Sequence, residues 1–269
     1  MAQRVIGSIL AIAACFSLAP IAQAQGLLWN LPADGTEVVY GGTMTQTDTR
    51  NEGQETTMSW DRQLVVRSVG TQQATVNGKQ VPARWIEFEL KTGKRTEQGV
   101  ETGPAGTRVY RLLVPESAIT GTPADERGLP HAFLPIIEGY EKIGDQPPRK
   151  LTAGAFETFP VLAQLVNYKA NEIKAAGEES VTVPAGEFNA TKYTATASIE
   201  SRSVRSENQA TIFVAKEMPF GLVRWTTTTT RSIKDPNQPR DAFAVATKIT
   251  TEMEARAINE NASATLQVP

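Results

Sequence analysis

The chain has 269 residues, a formal net charge of −2, one cysteine and one histidine. This length is enough for one large domain or two small ones with a hydrophobic core. The balanced charge gives no nucleic-acid footprint, and a single His and a single Cys exclude nearly all zinc, haem and iron–sulfur sites. We therefore predict no metal site, no cofactor and no nucleic-acid partner.

Residues 1–24 have the pattern of a secretory signal peptide. Arg4 supplies the positive charge, an apolar run follows, and a small-residue motif places the expected cleavage between Ala24 and Gln25. A membrane anchor and a lipid anchor remain as alternatives, the second because the residues ending at Cys15 resemble a bacterial lipobox. We expect a mature chain without cysteine, located in the periplasm or outside the cell, with no transmembrane span.

Residues 25–114 form a predicted β-rich half. Apolar and polar residues alternate along several stretches, which is typical of a strand with one buried face. The alternation predicts that the carboxylates Glu87 and Glu89 face water, opposite the apolar set Ile86, Phe88 and Leu90. Around Tyr110 both sets are apolar, so that strand is predicted to be buried on both faces. The Asn77-Gly78 pair predicts a tight hairpin.

Residues 115–170 differ, and we predict a Pro-rich connector with one or two short helices. Phe159, Leu162 and Val166 recur at helical spacing, and Thr158 is placed to cap that helix. The stretch 132–143 is apolar but is interrupted by Pro and Gly. Its large side chains need burial, so this connector is not predicted to be a disordered linker.

A second β-rich half is predicted over 171–257, followed by a C-terminal tail over 258–269. The stretches 222–232, which contains Trp225, and 243–256 alternate as strands and are joined by a Pro-rich loop. The expected fold is mainly β: a curved antiparallel sheet, or two stacked sheets, partly covered by helices from the connector.

Two turn motifs in this half carry a resemblance. The stretch Val181–Tyr193 contains Val-Pro-Ala-Gly-Glu-Phe, and Met218–Trp225 contains Pro-Phe-Gly-Leu-Val. Together they resemble a segment of uncharacterised bacterial exported proteins and, more distantly, the half-barrel of periplasmic lipoprotein carriers. The resemblance implies an exported β-sheet protein and carries over no catalytic residue. Gly186 and Gly221 are expected to adopt turn conformations that a Cβ disfavours.

Three functional hypotheses follow, and no catalytic residue is assigned. The first is a structural or interaction protein of the cell envelope, with an envelope protein as its partner. The second is a carrier for a lipid, an acyl chain or another apolar ligand in a cleft between sheet and helix. Its predicted ligand-binding residues are Phe133, Ile136, Ile137, Tyr140 and Trp225. The third is a hydrolase that uses His131, the one histidine, as a general base, or a pair of carboxylates such as Glu87 and Glu89.

Overall fold

The computed structural model describes residues 28–49, 54–97, 99–103, 106–119, 133–152, 155–157, 165, 168 and 171–268. These residues contain fourteen strands, all paired antiparallel. The strands are β1 (Glu37–Thr49), β2 (Glu55–Val76), β3 (Lys79–Thr96), β4 (Gly99–Thr102), β5 (Arg108–Pro115), β6 (Phe133–Pro135), β7 (Glu138–Ile143), β8 (Arg149–Lys150), β9 (Ala155–Glu157), β10 (Ile173–Val183), β11 (Gly186–Glu200), β12 (Val204–Val214), β13 (Leu222–Ile233) and β14 (Ala244–Asn259).

Twelve of these strands form one open sheet in the order β10-β11-β12-β13-β14-β1-β2-β3-β5-β7-β8, with β4 paired to β3. Strands β6 and β9 form a separate two-stranded ribbon. Nearly every neighbour in the large sheet is also a neighbour in sequence. The exception at the centre is the pairing of β1 with β14, which joins the two β-rich halves of the sequence in a single sheet.

Alternation gives the sheet two distinct faces. We call the face that carries the main apolar cluster the core face; it bears, among others, Val38, Tyr40, Leu64, Val66, Ile86, Phe88, Leu112, Trp225, Met253 and Ala255. The opposite face, which bears Arg67, Glu87 and Arg111, is called the tail face. On β5 both faces are buried, as the sequence predicted.

One edge of the sheet coils back over the core face. The turn between β10 and β11 reaches β14, where the Ala185 amide donates a hydrogen bond to the Ala255 carbonyl at 3.2 Å. Because β12 and β13 lie between β11 and β14 in the sheet, this contact requires strong curvature. The Trp29 ring covers the same end, with its centroid 5.2 Å from the centroid of the Tyr193 ring. The backbone amide of Trp29 donates a hydrogen bond to the Phe220 carbonyl. The expectation of a curved antiparallel sheet is confirmed.

The helical part of the prediction is wrong for the described residues. The apolar stretch 132–143 contains the strands β6 and β7, and the described parts of 115–170 contain no α-helix, only a single 3₁₀ turn at Glu116–Ala118. The physical reason is that β7 continues the large sheet by pairing with β5, and sheet pairing overrides an ambiguous apolar pattern. Most of the helix predicted around Phe159 lies outside the described residues.

The turn motifs behave as predicted. Asn77 and Gly78 both have positive φ in the two-residue turn between β2 and β3. Gly186 has φ +143° and Gly221 has φ +90°. At Gly221 an added Cβ would also lie 2.4 Å from the Trp29 Cβ, so that glycine is required both by its backbone conformation and by close packing.

Gly221→Ala tests this double requirement. We expect it to lower the free energy of unfolding by roughly 3 kcal/mol, from left-handed strain plus overpacking against Trp29. The matched control is Gly78→Ala, at φ +75° with no atom within 4 Å of the added Cβ. It should cost about 1 kcal/mol. Urea denaturation measures both, and equal losses would show that contact with Trp29 adds nothing.

Candidate functional site

The structure divides the predicted ligand-binding residues between the two faces. Trp225 is fully buried in the main cluster, and Ile136 packs against that cluster. Tyr140 belongs to a second, smaller cluster on the tail face, and Ile137 packs against it. The backbone of Phe133 lies in β6, and its side chain lies outside the described residues. Ligand binding at these positions stays a prediction, and the four described residues are not brought to one place.

The core face is filled at its closed end. The Tyr40 hydroxyl donates to the Leu222 carbonyl at 3.1 Å, and its ring meets the Trp225 ring edge-on with centroids 5.2 Å apart. Burial raises the pKa of Tyr40 far above its ordinary value, so it acts as a neutral donor. At this end of the core face the Trp225 ring is packed against buried side chains.

Farther along the same strands the core face is exposed only in part. Thr227, Thr251 and Asn208 stay buried there, and the Tyr168 hydroxyl donates a hydrogen bond to Asn208. Strand register places side chains in rows across β2, β1, β14, β13, β12 and β11. The first row beyond Trp225 is Trp60, Met44, Thr251, Thr227, Ala210 and Ala195; the next is Met58, Gln46, Ile249, Thr229, Asn208 and Ala197. Trp60 and Ile249 are partly exposed, and Met58 is 42% exposed. We call these two rows the open end of the core face.

The opposite face at the same level is entirely polar. The equivalent row on the tail face is Ser59, Thr45, Thr250, Thr228, Gln209 and Thr196. Hydroxyls there pair across strands, as between Thr228 and Thr250 at 3.4 Å. At this level of the same six strands, large apolar side chains therefore occur on the core face only, where they are interspersed with threonine, glutamine and asparagine. If both faces simply met water at this level, neither face would need apolar side chains.

A buried arginine lies at the boundary between the filled and the open parts. Arg62 faces the core side in register with Gly42, and its Nη1 lies 3.6 Å from the Met44 sulfur. Burial, and then the positive charge of Arg108, lower the pKa of Arg62 to about 10. The open end therefore begins beside a desolvated positive charge.

The tail face carries a charge network that the sequence did not predict. Glu87 and Glu89 were expected to face water, but Glu87 is fully buried and Glu89 is nearly so. Arg67 is the centre of the network: it donates to Glu37 at 2.5 Å, to Glu87 at 3.0 Å and to Glu89 at 2.8 Å. The prediction failed because residues 260–268, which we call the tail segment, cover this part of the face.

Glu87 holds the tail segment through its backbone. Its carboxylate accepts hydrogen bonds from the amides of Thr265 and Leu266 at 3.0–3.1 Å and from the Thr265 hydroxyl at 2.7 Å. Arg111, which lies over the Trp85 ring, donates to the Leu266 carbonyl at 2.9 Å. Glu87 and Arg111 therefore bind both the amide donors and a carbonyl acceptor of the segment's backbone.

The Leu266 side chain fills an apolar pocket on the tail face. We call this pocket, with Glu87 and Arg111, the tail groove; its apolar lining is Ala74, Ala83, Trp85, Val109, Leu113 and Tyr140. Leu266 is 3% exposed, whereas Thr265 and Gln267 on either side are exposed. Burying one leucine contributes about 1.5–3 kcal/mol to the docking of this segment, in addition to its hydrogen bonds to Glu87 and Arg111.

Sequence reasoning missed both Glu87 and the tail groove. One signal was available: the segment beyond β14 carries Leu266 and Val268 at alternate positions, and apolar residues in a tail need a surface to cover. The groove itself is built from four different strands, which spacing along one strand cannot bring together. His131 lies outside the described residues, so hydrolase chemistry there is untested.

Comparisons with known proteins give distant structural neighbours only. No protein-family model matches the chain, and no curated protein matches it. A "putative exported protein with YmcC-like fold" from Bacteroides fragilis is 10% identical with a TM-score of 0.34, covering 87% of this chain and 99% of that one. A "putative lipoprotein" from Parabacteroides distasonis is 10% identical with a TM-score of 0.32, covering 86% and 98%. Likeness at this level supports no conclusion about function.

Two further observations concern the described residues only. None of the helices they form has the length and apolar character needed to span a bilayer. No group of three His, Cys, Asp or Glu residues among them is arranged to hold a metal ion. Glu37, Glu87 and Glu89 on the tail face instead form ion pairs with the Arg67 guanidinium.

The network predicts loss of stability in acid. Burial opposes ionisation of Glu89, but hydrogen bonds and charges from Lys91 and Arg67 outweigh it and lower the pKa of Glu89. Its contribution is therefore present above the unfolded pKa, near pH 4.5, and is lost as pH falls through the lower folded value. Glu89→Gln should flatten the fall in unfolding free energy below pH 4.5, measured by urea denaturation. The exposed control Glu252→Gln should leave that fall unchanged; an equal effect from both would contradict the assignment.

Proposed function

We propose that this chain is an exported, non-enzymatic protein of the bacterial envelope that binds an apolar ligand at the open end of its core face. Export is supported by the signal-peptide pattern of residues 1–24. The observation that carries the binding role is the contrast between the two faces at the same level of the sheet. Apolar side chains continue past the filled core on one face, where they are partly exposed, while the other face is polar.

The ligand class follows from the side chains present. Met44, Met58 and Trp60 offer flexible thioethers and a flat ring, which adapt to an acyl chain or a similar apolar group. Arg62, which lies beside Met44, is itself buried and marks the boundary with the filled core. An acyl chain or a similar apolar group therefore fits the open end best.

An interaction role in the envelope is the second candidate. It is favoured by the tail groove, which already holds an extended polypeptide segment on the tail face. The two roles use different faces and do not exclude each other. They are separated by testing each face with its own variants.

The open end is tested by two neighbouring substitutions on β14. Ile249→Glu places a charge on the core face, and Thr250→Glu places one on the opposite face. We expect Ile249→Glu to weaken binding of the apolar probe N-phenyl-1-naphthylamine at least tenfold, or about 1.4 kcal/mol, because a carboxylate would be desolvated by the probe. Fluorescence titration measures the affinity.

Thr250→Glu is the matched control and should leave probe affinity within a factor of two. Lipid extraction and mass spectrometry of the purified wild-type protein identify any ligand that remains bound. Circular dichroism checks that both variants keep the fold. Equal effects of the two variants, or a wild-type protein that binds neither probe nor lipid, would overturn the proposed function.

A further inference from the structure

The tail groove has the features of a peptide-binding site. Its contacts to the tail segment go mainly to the backbone: Glu87 accepts two amides, and Arg111 donates to one carbonyl. One side chain, Leu266, enters an apolar pocket. Backbone hydrogen bonds combined with pockets for alternate side chains are the general mode by which proteins recognise extended peptides. Thr265 adds a hydroxyl contact to Glu87.

The floor of the groove does not depend on the tail segment. Arg67 remains bonded to Glu37, Glu87 and Glu89 through contacts within the sheet itself. Lys91 pairs with Glu89 at 2.9 Å. If the segment leaves, Glu87 loses its peptide donors but gains water and keeps Arg67. Departure therefore leaves no charge that is both buried and unpaired, which is the costly outcome in most cores.

The tail segment is also attached by few contacts outside the groove. The chain leaves β14 at a turn where Asn261 has φ +63°, and the Ala262 amide donates to the Gly35 carbonyl at 2.7 Å. Beyond that bond, the hydrogen bonds that the segment makes to the rest of the described chain go to Glu87 and Arg111. A segment tethered at one end and held by one pocket can be replaced by another of the same chemistry.

We propose that the tail groove is a binding site for an extended segment of a partner polypeptide, with the tail segment as its resident occupant. The partner segment would present a hydroxyl residue followed by a leucine-sized residue, as Thr265 and Leu266 do. Binding of the partner releases the tail segment. This site is separate from the open end of the core face, so the proposal stands or falls independently of the apolar ligand.

A labelled peptide tests the groove. The peptide carries fluorescein and the sequence of residues 260–268, and its binding to the purified full chain is followed by fluorescence anisotropy. In the wild-type protein the resident segment competes at high effective concentration, so peptide binding should be weak. Leu266→Ala in the protein removes the resident anchor, and we expect it to bind the peptide at least tenfold more tightly. Gln267→Ala, at the exposed neighbour, should behave as wild type.

Two further variants assign the contacts. Adding Glu87→Gln to the Leu266→Ala protein should weaken peptide binding at least tenfold, since an amide nitrogen replaces one accepting oxygen. A peptide in which the leucine is replaced by alanine should not bind the Leu266→Ala protein. Hydrogen exchange of the amides of Thr265 and Leu266 reports whether the resident segment has been released; if it remains seated, Thr265→Ala combined with Leu266→Ala replaces the single variant.

Released tail amides with no gain in peptide affinity would overturn the proposal and leave the segment as simple packing. Size-exclusion chromatography with light scattering shows whether the wild-type protein is a monomer or a dimer. A wild-type dimer that the peptide dissociates would show that the occupant is the tail segment of a second copy, which overturns the assignment to a different partner. A monomer whose Leu266→Ala form captures the peptide supports the proposal as stated.

Discussion

The pairing of β1 with β14 is the constraint on which both faces of the sheet depend. It joins strands that lie about two hundred residues apart in the chain and forms the centre of the sheet. At Gly42 the two backbones approach so closely that an added Cβ would lie 1.8 Å from the Glu252 carbonyl oxygen. Because side chains alternate with period two, a slip of one residue here would exchange the core face and the tail face on every strand to one side.

The sequence was informative where a single strand decides the outcome. The apolar residues around Phe88 and Tyr110 were predicted to be buried and are, and the glycines at the turns predicted positive φ. It was not informative where the outcome depends on which strands meet. The burial of Glu87 is caused by a segment almost 180 residues later in the chain, and no local pattern records that contact.

The connector shows the same limit of sequence-based prediction, because a stretch predicted to contain helices forms strands instead. An apolar stretch such as 132–143 suits a buried helix or a buried strand equally well, and only the available partner decides. Here β5 offers a free edge to β7, and Gly139 fits closely against Leu112 on that strand. Likewise the open end could not be found from sequence, because its rows are assembled by register across six strands that are scattered through the chain.

The two faces are covered in physically different ways, and this difference bears on what can move. The closed end of the core face is sealed by large apolar groups, Trp29 and Phe220, whose removal would expose hydrocarbon to water. The tail groove is covered by one leucine, which fills a small apolar pocket beside the Arg67–Glu87 ion pair, and water can solvate that pair. The free energy needed to open a covered surface grows with the apolar area exposed. The tail face is therefore the side of this sheet from which a cover can leave while the core stays closed.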